Sequence, residues 1–207
     1  MSIPVNKLLH DVTNSNAKNA PDSAATGAGS EQSAAPVGEN ERTDFPCSVA
    51  QERFWLLDRL DPGNSAYNVA VRWRLEGRVS GAVLEKAWLQ IIERHEILRS
   101  VFVEVEGTPV QRVTPQARFR LSEIDLSNLP PDAQQAEGDR IGIIEARAPF
   151  DLATGPLIRA TLLRFSATLS IILVTTHQVV SDGWSIGVFV REIAALYEAF
   201  RDRKSVV

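Results

Sequence analysis

The chain has 207 residues, 44% of them hydrophobic, enough to bury a core in one large domain or two small ones. Its net charge of −4 and pI near 5.5 leave no broad basic surface to neutralise a phosphate backbone, which argues against nucleic-acid binding. The one cysteine, Cys47, excludes an internal disulfide and a Cys-rich metal site, and it reads as a small buried hydrophobe. The N-terminus lacks the basic start, apolar segment and cleavage site of a signal peptide. The longest strongly apolar run, Ile171-Ile172-Leu173-Val174, is too short for a bilayer, so the expected location is the cytoplasm, with no membrane partner.

In chain order, residues 1–42 read as a disordered tail or linker. Between positions 13 and 42 only Val37 is a large aliphatic residue, too little burial to offset ordering entropy. Val5, Leu8, Leu9 and Val12 suggest two amphipathic turns, as a frayed terminus or a docking peptide. The folded part is placed at 43–207. Ser48 with Gln51 forms a capping-box pattern, and Val49, Leu56, Leu57 and Leu60 continue a helix that Asp61-Pro62-Gly63 stops. Tyr67, Val69, Val71, Trp73 and Leu75 alternate with polar or small residues, the period of a strand with one buried face. Ser80 caps a helix with the stripe Leu84, Ala87, Trp88, Ile91 and Ile92. Val101, Val103 and Val105 form a strand that Gly107-Thr108-Pro109 turns into a short partner over 110–113.

A strand over 119–124 follows, then a helix over 132–147 with Ile141, Ile144 and Ala148 inward, and a strand over 157–165. Residues 169–175 are the most apolar strand, as expected of a central strand covered on both faces. Trp184, Val188, Phe189, Ile193, Leu196, Tyr197 and Phe200 mark a closing helix. Strands interleaved with helices predict an α/β (α+β layered) fold with one mixed sheet covered by helices.

The stretch TTHQVVSDGWS, Thr175 to Ser185, lies where that central strand ends and the closing helix begins. Ligands gather where strands of open α/β sheets end, and a helix start favours negative charge. The same loop also has a structural reading: a packed His177, Ser181 or Asp182 as helix cap, and Gly183 for the turn. Histidine and aspartate five apart on a loop, with no third ligand, do not make a metal site, and no bound cofactor is expected.

Three stretches occur in order: SVAQERFW (48–55), RHEILRSVF (94–102) and HQVVSDG (177–183). With LDPGNSAYNV and PFDLATGPLIRATLL between them, the chain resembles the condensation domains of nonribosomal peptide synthetases, relatives of chloramphenicol acetyltransferase. The resemblance covers residues 44–203. It implies a chloramphenicol acetyltransferase-like lobe and amide bond formation between aminoacyl or peptidyl thioesters carried on phosphopantetheine by carrier proteins. It places the site at His177, Gln178, Asp182 and Gly183, with Asp182 held by an arginine, for which Arg94 and Arg99 are the candidates. The DPGNSAYN stretch resembles members that join two L-configured residues.

The sequence departs from the family in two ways. The family has two adjacent histidines, three variable residues, then Asp-Gly, and the second histidine is the one assigned to catalysis; Gln178 holds that slot. An amide donates and accepts hydrogen bonds but takes up no proton near neutral pH. General base catalysis is worth ~10²–10⁴ in rate, or about 3–5 kcal/mol of barrier. The resemblance also implies two lobes around a channel, whereas this chain corresponds to the N-terminal lobe alone. The expectations are therefore a donor lobe inactive by itself that needs a complementing C-terminal lobe, a module that docks a carrier protein or tailoring enzyme, or a truncated relict. Of the remaining motif residues, Trp55 and His95 read as packing, although Arg53 and Trp55 are placed to line an entrance.

Overall fold

The computed structural model describes residues 43–116 and 118–202; the expected tail over 1–42 lies outside them. The capping box at Ser48 and Gln51 forms as the sequence requires, and starts α1 (Val49–Leu60) just after the short strand β1 (Thr43–Pro46). Then come β2 (Asn68–Glu76), α2 (Gly81–Arg94) capped by Ser80, β3 (Ser100–Val105), β4 (Thr108–Val113) and β5 (Leu121–Asp125). The chain continues through α3 (Pro131–Arg147), β6 (Ile158–Ser166), β7 (Leu169–His177) and α4 (Gly183–Arg201).

The strands divide between two sheets instead of the single one expected. A mixed sheet runs β2-β7-β6-β5, with β5 parallel to β6 and the other pairs antiparallel. A separate antiparallel sheet runs β1-β4-β3. Period-two alternation says which face of a strand is buried, but not which strands share a sheet. The hairpin turn is Glu106-Gly107, both at positive φ, while Thr108 and Pro109 already belong to β4.

β7 is central and covered on both faces, as its composition demands. Ile172 and Val174 join Trp73, Leu75, Trp88, Ile91 and Phe189 in the main core under α2 and α4. Leu173 joins Ile141, Leu163 and Phe165 in a smaller core under α3. The inward line of α3 is Gln134, Gly138, Ile141 and Glu145; Ile144 is exposed and Ala148 half-buried, one register away from the expectation. Gly138 sets that register, because a Cβ there would lie 2.8 Å from Phe165 Cζ.

α1 differs most from its reading. Val49 is 85% exposed and Leu60 74%, Leu56 is exposed as well, and no residue of the helix is fully buried. Phe54 and Trp55 pack against the core instead, so Trp55 is half-buried packing, with the Arg59 guanidinium 4.9 Å above its ring. Cys47 is half-buried, not buried, and desolvation raises its thiol pKa.

Candidate active site

β7 ends at His177, and Gln178 opens the turn that follows it. His177 is 2% exposed, while Gln178 is exposed. Two backbone bonds fix the strand end: His177 N–H donates to Leu157 O (3.1 Å) and Gln178 N–H to Tyr67 O (2.9 Å).

The His177 ring sits among three aromatic rings that meet it edge-on: Phe54 and Tyr67 at 6.2 Å and Phe150 at 6.3 Å between centres. Its Nδ1 accepts the Val179 N–H at 3.1 Å, so the neutral ring carries its proton on Nε2. Burial without a charged partner lowers the pKa from its ordinary 6.5 to about 4. His177 is therefore an uncharged acceptor that holds its own loop in place. Val180 N–H donates back to His177 O (3.0 Å), and Thr176 and Ser181 hydroxyls bond each other beneath the turn.

Asp182 is the N-cap of α4. Its Oδ1 accepts from Ser185 N–H (2.8 Å) and Ser185 Oγ–H (2.7 Å), and these bonds hold its carboxyl below the usual range. Neither expected arginine is its partner. Arg94 lies 3.5 Å from Glu192, and Arg99 bonds Glu96 and Thr114 O, so the expected Arg–Asp182 pair is replaced by a helix cap. His95 ends α2 with Nε2 2.8 Å from Glu192, as a packed residue should. Arg53 is exposed on α1.

Gly183 opens α4 without a positive φ, and a Cβ there would meet nothing within 4 Å. Neither the turn nor packing among the described residues demands glycine, contrary to the turn reading. Trp184 next to it is 82% exposed, although the periodicity assigns it to the inner stripe of α4; Ile186, Phe189, Val190 and Ile193 occupy that stripe. Gln178, Gly183 and Trp184 thus lie on open surface, with His177 behind them.

The Condensation domain family model matches residues 41–207. The chain belongs to the condensation-domain family of nonribosomal peptide synthetases, and it corresponds to the N-terminal part of that fold. It is 41% identical over 174 residues to a linear gramicidin synthase of Brevibacillus parabrevis, covering 79% of this chain and 3% of that protein. It is 40% identical over 157 residues to phosphinothricin tripeptide synthetase PhsB of Streptomyces viridochromogenes, covering 76% of this chain and 13% of that one. The starter condensation domain of rhizomide synthetase RzmA superposes with a TM-score of 0.74 at 25% identity, over 80% of this chain and 41% of that chain. The first condensation domain of the calcium-dependent antibiotic synthetase gives 0.74 at 26% identity, over 80% of this chain and 40% of that one. The match covers only 3% and 13% of these two synthetases, and this chain spans about two fifths of the solved chains it matches. No described helix is long and apolar enough to cross a membrane.

The aromatic cage of Phe54, Tyr67 and Phe150 is a part of the site that sequence reasoning misses. Its three residues come from SVAQERFW, LDPGNSAYNV and PFDLATGPL, three separate family blocks whose meeting point is His177.

Proposed function

We propose that this chain forms the donor-side wall of a condensation domain, whose reaction joins carrier-bound aminoacyl or peptidyl thioesters through an amide bond. His177 is the positioning residue of that wall, Gln178 occupies the slot facing the reactants, Asp182 orients the loop by capping α4, and Gly183 leaves room at the helix start. The carrying observation is the open side of this loop. Gln178 is exposed, Gly183 has free space where a Cβ would be, and Trp184 is 82% exposed, all on the surface of a domain otherwise packed around β7.

Alone, this wall performs no condensation. Gln178 supplies no base near neutral pH. With its loop open to solvent, the chain does not exclude water or fix an acceptor amine against a thioester, and proximity and preorganisation both suffer. Carrier proteins bearing phosphopantetheine thioesters are its partners, together with a complementing C-terminal lobe. The exposed Val49, Leu56 and Leu60 on α1 favour a second reading, a non-catalytic module that docks a carrier protein or tailoring enzyme on that helix.

The test incubates the chain with two loaded carrier proteins and looks for dipeptidyl thioester by mass spectrometry. No product from the chain, and product from Gln178→His with a second lobe added, is the expected pair of results. Turnover by the unaltered isolated chain refutes the proposal, and carrier binding with no turnover under any combination supports the docking module.

A further inference from the structure

The C-terminus of α3 leaves carbonyls that no helical N–H can satisfy. Many helices solve this with a glycine just past the end. Here two side chains from the sheet do it. Arg159 on β6 donates through Nη2 to Glu145 O (2.6 Å) and Ala148 O and through Nη1 to Pro149 O (3.3 Å), and its Nε lies 3.3 Å from Glu145 Oε2. Asn68 on β2 donates through Nδ2 to Ala146 O (2.8 Å) and Ala148 O (2.9 Å).

These clamps flank the strand that ends in the site. Asn68 is the register partner of His177, and Arg159 of Thr175. The Arg159 guanidinium also lies 4.0 Å from the centre of the Phe150 ring, and Phe150 meets His177 edge-on at 83°. Half-burying a guanidinium is costly unless its donors are used. Here both terminal nitrogens are used on a helix end whose partial negative charge suits a cation, just ahead of the ring that contacts His177.

We propose that Arg159 and Asn68 are positioning residues for the 177–183 loop: by holding the last turn of α3 they hold Phe150 against His177, and so fix the Nδ1 bond that sets the direction of residue 178. Neither touches the reacting groups. The inference rests on reading that loop as the site. Its test follows loop geometry, so a failure to find condensation activity leaves it standing or falling on its own result.

The experiment uses the isotopically labelled full chain and reads the His177 ring nitrogens and the Val179 amide by nuclear magnetic resonance. The unaltered protein should show an unprotonated Nδ1, a protonated Nε2 and a slowly exchanging Val179 N–H. Arg159→Met and Asn68→Ala should each speed Val179 exchange at least tenfold and move the ring signals, and Arg159→Lys, which keeps the charge but not the fork, should give a smaller change. Arg72→Met is the control, because Arg72 bonds Asp139 in the middle of α3, away from its end. Folded Arg159→Met with unaltered signals, or an Arg72→Met effect as large as that of Arg159→Met, overturns the proposal. Should Arg159→Met not fold, Phe150→Leu decides: it leaves both clamps but removes the ring between them and His177. Unchanged His177 and Val179 signals in that variant refute the relay.

Discussion

Acidifying the protein from pH 7 to 4.5 should strip away stability through one residue, His177. The folded state keeps this ring neutral down to about pH 4, against an ordinary 6.5, because burial removes the water that would solvate the imidazolium. Between those values the unfolded chain binds the proton and the folded one refuses it, so stability rises with pH there. The contribution is complete above pH 6.5, is lost as pH falls towards 4, and changes no further below. At about 1.4 kcal/mol per pH unit, the full loss is about 3.5 kcal/mol, a large part of the ~5–15 kcal/mol that holds a domain together. The carboxylates with lowered pKa, Asp125, Glu137, Asp139, Asp151 and Asp182, lose their contributions only as pH falls through the carboxylate range, below most of this window. Asp58, raised by desolvation, acts in the opposite direction. Urea titrations of the unaltered chain and of His177→Asn at pH 7, 6, 5 and 4.5 isolate the effect. Asn keeps an acceptor where Nδ1 sits but does not titrate, so the stability difference between the two proteins should shrink by more than 1 kcal/mol per unit below pH 6. Parallel pH profiles for the two proteins, or a His177 ring that titrates near 6.5, would refute the reasoning.

Other substitutions test separate parts of the structure. Asp182→Ala should cost about 1 kcal/mol in chemical denaturation, the worth of a helix cap, whereas a loss of about 3 kcal/mol or more would indicate a buried ion pair instead. Gly138→Ala, which normally stabilises a helix interior, should lower the melting temperature here because its Cβ meets the Phe165 ring. Leu56→Gln with Leu60→Lys should leave stability within about 0.5 kcal/mol and reduce any self-association seen by light scattering.

Most of the helices and strands are legible in the sequence because their signals are local. The box at Ser48, the cap at Ser80 and the strand pattern of β2 each act within one element, and each holds in the structure, although burial alternates cleanly only from Trp73 to Glu76. The reading fails where burial depends on what lies opposite. α3 turns Gly138 inward because Phe165 needs the space, and no periodicity within the helix reports that. The stripe on α1 is apolar yet faces outward, since periodicity marks an apolar face without saying what covers it. The Arg–Asp182 pair is implied by the resemblance; in the structure Asp182 caps α4 through Ser185, while Arg94 and Arg99 pair with Glu192 and Glu96.

The contacts at the end of β7 explain why a glutamine at position 178, where the resemblance leads one to expect histidine, leaves the fold intact. His177 makes the structural contacts: three rings, the Val179 amide and the Leu157 carbonyl all converge on it. Position 178, the first residue of the turn beyond β7, bonds the rest of the protein through its backbone N–H to Tyr67 O. The side chain is exposed, so a change there should disturb the packing little. On the proposed reading, scaffold and chemistry are divided between two adjacent residues, so position 178 can be exchanged while the loop keeps its shape. Gln178→His should accordingly leave the melting temperature within about two degrees, and a larger shift in either direction would mean that position 178 belongs to the packing after all.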